Sequence, residues 1–397
     1  MRVKAILILI LFNAYSHFGF TAVQKIQYHT QKIKILNNIF KIKLPKHYQL
    51  EFVAELEQPR IISISKKGEM FIGSKSGYVY RLTAPYTKAI KLLKLNNYPH
   101  SIVVRDNYIY IAQTNGLYRA AYKTGQNKVL TKNIQKYISL PGGFGHNSRT
   151  LALGKDNKLY LSLGISGNCS NQFIAMNYPA SERRGGVMVL NEKNKIVWQP
   201  FATGLRNPVG FDWHPISGVM YASNNGPDHL GFNQPREYFS KLLPNSFHGM
   251  PWFQFVNNKI VRDNCINTQP PIAIDRVVKP VQTFDARNAP MAVSFINTEK
   301  KPTNYFGDAL VALHGSWAVP NKTWFSNKKS GRREPKIVLV RFDNAVAKQV
   351  DDFITGFQLT DGSRWARPVG VINTANGDFY FTSDAGINGL FRAKKLK

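Results

Sequence analysis

One short pattern recurs six times along the chain: a Gly/Asn/Asp turn, an alternating strand, a second turn and a returning strand. The copies are residues 67–73 with 77–81, 106–112 with 116–119, 156–162 with a delayed partner at 186–190, 217–223, 307–313 with 336–341, and 376–382 with 389–392. Alternation with period two marks strands, and the Asn-Gly, Asp-Asn and Ser-Gly pairs mark tight turns. No segment sustains a helical period. Six such hairpins predict an all-β fold, a six-bladed β-propeller over residues 45–397, in which radial repetition hides most sheet edges. A pair of β-sandwiches would need a break between two sets of strands, and no Pro/Ser-rich linker interrupts the series. The spacing widens after the third copy, so long insertions are expected in blades three to five, on one face.

The core is affordable in composition: 43% of the 397 residues are hydrophobic and 12% aromatic, which excludes a disordered chain. Lys and Arg number 53 against 23 Asp and Glu, a formal net charge of +30. Such a charge favours anionic partners or surfaces. Lysine is spread along the chain rather than gathered in one patch, and no RNA-binding aromatic signature is present, so no nucleic-acid partner is expected. Two cysteines exclude a disulfide-dense scaffold and a zinc-ribbon framework. Cys169 and Cys265, both in insertions, are expected within disulfide reach, Cα atoms less than ~7 Å apart, the alternative being two unrelated buried thiols.

Arg2 and Lys4 precede the apolar run from Ala5 to Phe12, and small or polar residues follow to Ala22. This is the layout of a secretory signal peptide over residues 1–22, and the run is short of the ~20 residues that span a bilayer. A periplasmic or secreted protein with no integral membrane segment after signal removal is expected. Residues 1–50 hold eight Lys/Arg and no acid, so residues 23–44 are read as a basic arm leading into the first strand.

Several polar clusters fall in the insertions. In residues 142–151 a glycine run delivers His146 and Arg149 just before a strand, and an unperturbed histidine suits proton abstraction near neutrality. At 204–213, Arg206 beside Asn207 offers a donor fork to an oxyanion or carboxylate, or ties down a blade corner. The turn Asn225-Gly226-Pro227-Asp228 exposes carbonyls of the kind that hard cations take, or is a plain turn. His314-Gly315-Ser316-Trp317 and the segment from Ser363 to Gly370 put cationic and aromatic groups at strand edges, where a planar ligand could stack. Walker, GxSxG, HExxH and EF-hand motifs are absent, which removes support for NTP chemistry, common serine hydrolysis and zincin proteolysis.

In order and spacing, the motifs at 146–151, 204–210, 225–228, 312–317 and 367–370 together resemble the glucose/sorbosone dehydrogenases, the soluble pyrroloquinoline quinone (PQQ) sugar dehydrogenases, with the sorbosone-type branch looking closest. The resemblance implies an exported oxidoreductase that takes hydride from an aldose or sugar alcohol to PQQ and hands electrons to an unknown acceptor. It implies His146 as the general base, Arg206 over the quinone oxygens, Asn207 and Arg367 as further cofactor contacts, and the Gly226 and Pro227 carbonyls as ligands of a calcium ion. PQQ is a flat tricarboxylate, so arginine forks and a hard cation suit it. Two positions depart from the pattern. Ile165 stands where glucose-oxidising members carry an acid that orients the base. Ala318 and Val319 stand where Asn and Arg usually follow the Trp, so a cofactor cation is either lost or supplied by Lys322, Lys328 or Lys329. The second cationic position of the last cluster falls on Arg364 or is taken by Trp365. The competing reading is a propeller that keeps the fold and binds a carbohydrate or protein without redox chemistry.

Overall fold

A computed structural model describes residues 25–298, 305–320 and 331–396. The proposed signal segment and Lys322, Lys328 and Lys329 lie outside these residues.

The repeats supply the middle strands of six antiparallel blades, four-stranded except that the third gains a short parallel fifth strand, Ser246–Phe247, beside Val197–Thr203. Blade 1 comprises Pro59–Ile64, Met70–Ser74, Tyr78–Leu82 and Ile90–Lys94. Blade 2 comprises Ser101–Arg105, Tyr108–Gln113, Gly116–Ala121 and Gln135–Ser139. Blade 3 comprises Leu151–Leu153, Leu159–Leu163, Gly186–Asn191 and Val197–Thr203, and blade 4 Phe211–Trp213, Met220–Asn224, Glu237–Leu242 and Gln282–Phe284. Blade 5 comprises Pro290–Phe295, Ala309–Leu313, Lys336–Asp343 and Val346–Ile354. Blade 6 takes Ala366–Asn373, Phe379–Gly386 and Gly389–Lys395 from the end of the chain and its outermost strand, Tyr48–Glu55, from the beginning. The register runs from Tyr48 opposite Lys395 to Glu55 opposite Gly389, so chain start and chain end close the ring with one ladder.

Residues 28–45, read from the sequence as part of a basic arm, form a hairpin of Tyr28–Ile35 and Asn38–Pro45. Ile33, Ile35, Phe40, Ile42 and Leu44 point into the core while the intervening lysines stay outside. Phe40 stacks on Trp365 with ring centroids 4.4 Å apart. The apolar–Lys alternation of Phe40-Lys41-Ile42-Lys43-Leu44 carried this strand signal; the charge obscured it.

Strand direction decides where the insertions go. In an antiparallel blade the approach to the first strand and the link from second to third emerge at the same end. The long second-to-third links 164–185 and 225–236, and the described parts 314–320 and 331–335 of the third, therefore share a face with the segments that enter blades 3 to 6 through His146, Arg206, Arg287 and Arg367. A third-to-fourth insertion in blade 4, residues 243–281, carries its own hairpin, Phe253–Val256 with Lys259–Arg262. It returns to this face, because Cys265 within it is bonded to Cys169 in 164–185 with Cα atoms 5.6 Å apart. The cysteine expectation is met.

Candidate active site

The face with the insertions holds a cavity of about 730 Å³ whose wall includes Asn168, Asp228, Arg287, Trp317, Ala318 and Val319. A second cavity, about 400 Å³, lies among the innermost strands and is lined mainly by their apolar and backbone atoms together with Lys66, Lys155 and Asp212.

His146 is held from behind. Its backbone carbonyl accepts from two buried arginines, Arg149 Nη1 at 2.8 Å and Arg184 Nη2 at 2.9 Å. Arg149 is thus a clamp on the loop, and it also bonds the carbonyls of Thr114 and Pro141. The ring Nδ1 donates to the backbone carbonyl of Ile165. That carbonyl replaces the missing acid at this position, and it fixes the proton on Nδ1 so that the Nε2 lone pair is the open one. The Ile165 N–H in turn donates to the Arg206 carbonyl at 2.8 Å, tying His146 and Arg206 into one frame. Gly164 permits this closeness: a methyl group there would stand 2.5 Å from both Asn207 Oδ1 and His146 Cβ. Burial, and then the Arg206 charge, push the His146 pKa down to about 4. The ring is neutral at physiological pH.

Arg206 is buried, and its Nη2 donates to Asn168 Oδ1 at 2.7 Å and faces Asp228 Oδ2 at 3.4 Å. Its Nε is buried without a partner. Asn168 also accepts from the Asp228 N–H at 3.1 Å, which joins the two insertions next to the disulfide. Asn207 is positioned through its backbone, its N–H donating to Asn224 Oδ1 at 3.0 Å.

The opposite wall is cationic. Trp317, 63% exposed, is flanked by the guanidiniums of Arg367 at 4.3 Å, Arg332 at 5.0 Å and Arg364 at 5.6 Å from its ring centre. Arg367 donates through Nε to the His314 carbonyl at 3.1 Å and through Nη2 to the Gly315 carbonyl. Burial, then the neighbouring Arg364, lower its pKa to about 9. Arg364 is the second cation of the last cluster, since Trp365 is in the core with its Nε1 bonded to the Gly356 carbonyl at 2.6 Å. None of His146, Arg206 and Arg367 is in the cavity wall itself: Arg206 reaches it through Asn168 and Asp228, Arg367 through Trp317, and His146 stands behind, in the field of Arg206.

Sequence reading missed three groups. Asp384 is buried at the centre of the rim and bonded by Arg60 at 2.5 Å, His314 at 2.7 Å and Lys75 at 3.1 Å. Burial pushes its carboxyl up, but the His314 hydrogen bond and the Arg60 and Lys75 charges outweigh this and keep it ionised. Glu237 lies under the 225–236 loop, where burial raises its pKa to about 7 despite hydrogen bonds from the Gly226 and Arg287 N–H groups. Arg287, in what reads as an ordinary turn, bonds the Pro227 carbonyl at 2.7 Å. Asp384 is 324 residues from Arg60 and 309 from Lys75, and only ring closure brings blades 1 and 6 together. No helix among the described residues is long and apolar enough to cross a membrane.

A family model described as TrAA12-like matches residues 42–238. An uncharacterized protein of Borreliella burgdorferi is 28% identical over 366 residues, covering 88% of this chain and 90% of that one. Among solved structures, the chain resembles the Trichoderma reesei carbohydrate-active enzyme of family AA12, with a TM-score of 0.73, 18% identity and coverage of 94% of this chain and 100% of that one. The holo PQQ domain of pyranose dehydrogenase from Coprinopsis cinerea gives 0.69 at 18% identity, with 90% and 97% covered. The soluble aldose sugar dehydrogenase of Escherichia coli gives 0.62 at 14%, with 88% and 99% covered. At these identities the likeness to solved structures is one of fold, and the fold shared is the six-bladed propeller.

Proposed function

We propose that the protein is an exported PQQ-dependent sugar oxidoreductase whose cofactor lies in the 730 Å³ cavity. The observation that carries this is the exposed Trp317 in the cavity wall, with the guanidiniums of Arg332, Arg364 and Arg367 around its ring. A planar polyanion suits that wall: it can meet the indole in a field of fixed positive charge, although the Arg364 fork is itself bonded to Gln358 and to the Gly315, Ser316 and Arg333 carbonyls. Arg332 and Arg364 supply cationic groups where Ala318 and Val319 carry none. The similarity to AA12 proteins and to pyranose and aldose dehydrogenases supports the same reading at the level of a soluble sugar dehydrogenase, without choosing the sorbosone-type branch.

When bound, PQQ supplies the two-electron acceptor. His146 takes the proton of the sugar hydroxyl at Nε2, while Ile165 keeps its ring in one tautomer. Arg206 and Asn207 would hold the group by offering donors to its oxygens, and Arg367 would add positive charge to balance its carboxylates. The cost of a neutral ring at pH 7 is low basicity, since the conjugate acid has a pKa of about 4.

The test is reconstitution. Purified protein titrated with PQQ should show saturable quenching of tryptophan fluorescence, and a panel of aldoses and sugar alcohols should then reduce an artificial dye. Saturable PQQ binding with no sugar oxidised would leave a non-catalytic binding propeller. No PQQ binding at all would end the proposal.

A further inference from the structure

The loop that the resemblance assigns to calcium already holds a cation. Arg287 is 2% exposed. Its Nη1 donates to the Pro227 carbonyl at 2.7 Å and to Asp228 Oδ1 at 3.0 Å. Its Nη2 donates to the carbonyls of Gln234 at 2.9 Å and Asp228 at 3.3 Å, and to that of Gly231. Four backbone carbonyls and one carboxylate oxygen from a single loop therefore face one guanidinium. A nest of carbonyls with a carboxylate is the donor set of a hard cation, and here the chain fills it.

The backbone is bent to do so. Arg287 has φ +74°, a left-handed conformation uncommon for a non-glycine residue. The buried Glu237 holds it there, accepting the Arg287 N–H at 2.9 Å through Oε1 and the Gly226 N–H through Oε2. A calcium ion bound to the Pro227 carbonyl would need that oxygen at about 2.3–2.6 Å, yet Arg287 Nη1 is already 2.7 Å from it. Two cations competing for one oxygen, beside the Arg206 charge and with Asp228 and the buried Glu237 as the neighbouring acids, repel in a site of low dielectric.

We infer that Arg287 is the built-in cation of this site, and that the protein holds an anionic planar ligand without calcium. Arg287 lines the cavity together with Asp228 and Trp317, and because its Nη groups are taken up by the loop it acts on the ligand space by holding that loop and through its charge, not by a direct hydrogen bond. The ligand part of this inference rests on the proposed function; the exclusion of calcium does not.

The experiment has two arms. In the first, the EDTA-treated apo protein is titrated with calcium chloride by calorimetry. No stoichiometric binding is expected, whereas one bound calcium per chain that Arg287→Ala leaves unchanged or strengthens would overturn the inference. In the second, PQQ is titrated by fluorescence in EDTA and in millimolar calcium. Wild-type affinity should differ less than threefold between the two buffers. Arg287→Ala should lose at least tenfold in EDTA and recover part of it in calcium. Arg287→Lys, which keeps the charge, should lose less and stay indifferent to calcium, and it serves if the alanine variant does not fold. A wild-type requirement for calcium would overturn the inference. If PQQ binds in neither buffer, the cofactor reading fails, and the calcium titration still decides whether Arg287 has displaced the metal.

Discussion

His146 combines an open Nε2 with a pKa of about 4 set by burial and by Arg206. For a base of this kind the active form is the neutral ring, so activity is retained above the folded-state value and lost as pH falls through it. The acid limb of kcat/KM in the reconstituted enzyme should therefore lie near pH 4 rather than near the ~6.5 of a free histidine. Removing the neighbouring charge with Arg206→Gln should move the His146 titration upward, readable by NMR even in the apo protein, and should weaken PQQ binding. His146→Ala should leave PQQ binding nearly intact and lower kcat by about 10²–10⁴-fold, the usual worth of a general base. Wild-type rates in that variant would mean that another group takes the proton. Gly164→Ala belongs to the same frame: the added methyl would push His146 and Asn207 apart and should cut turnover with a smaller effect on folding.

At the scale of elements, the site depends on insertions that the blades do not hold by themselves. The Cys169–Cys265 bond links 164–185 to 243–281 across 96 residues of sequence. A closed loop of that length limits the unfolded chain by up to ~4–5 kcal/mol in the chain-entropy model, with measured values often smaller. Converting both cysteines to serine should lower the Tm and also weaken PQQ binding, because Asn168 next to Cys169 positions Arg206. Unchanged affinity would show that the Arg206 frame stands without the staple. The N-terminal hairpin gives a second element-level expectation. Phe40 is 9% exposed and stacks on Trp365, so Phe40→Ala should destabilise by about 3 kcal/mol, the lower end for a buried aromatic. Denaturant unfolding measures it.

The whole molecule is closed by Tyr48–Glu55 pairing with Gly389–Lys395. Deleting residues through Pro45 would uncover the apolar patch around Trp365 and Phe353 but keep the ring, so a folded and less stable protein is expected. Deleting through Glu55 removes the outer strand of blade 6, exposes a ladder edge and should abolish cooperative unfolding. Ring closure also assembles the Asp384 cluster, because Arg60 and Lys75 come from blade 1 and His314 from blade 5.

Local pattern alone determined the blades. Alternation and turn residues are short-range signals, and each hairpin repeat at 67–81, 106–119 and 376–392 became the middle of a blade. The long links after the third repeat were legible for the same reason, as was the expectation that Cys169 and Cys265 lie within reach. His146 and Arg206 drew notice as polar residues in turns before strands, Arg367 in a cationic cluster at a strand edge, and the roles of all three came from the family resemblance. Tertiary structure decided how such residues are used. It gave the orienting role to the Ile165 carbonyl, which any residue at that position would offer. It turned Arg149 into a clamp and Trp365 into core. It put Arg287 into the carbonyl nest of a loop some sixty residues earlier (Pro227 and Arg287 are separated by 60 positions). Backbone carbonyls carry no residue identity, and contacts between blades span long stretches of chain, so neither could be read from neighbouring residues; the ring had to close before they existed.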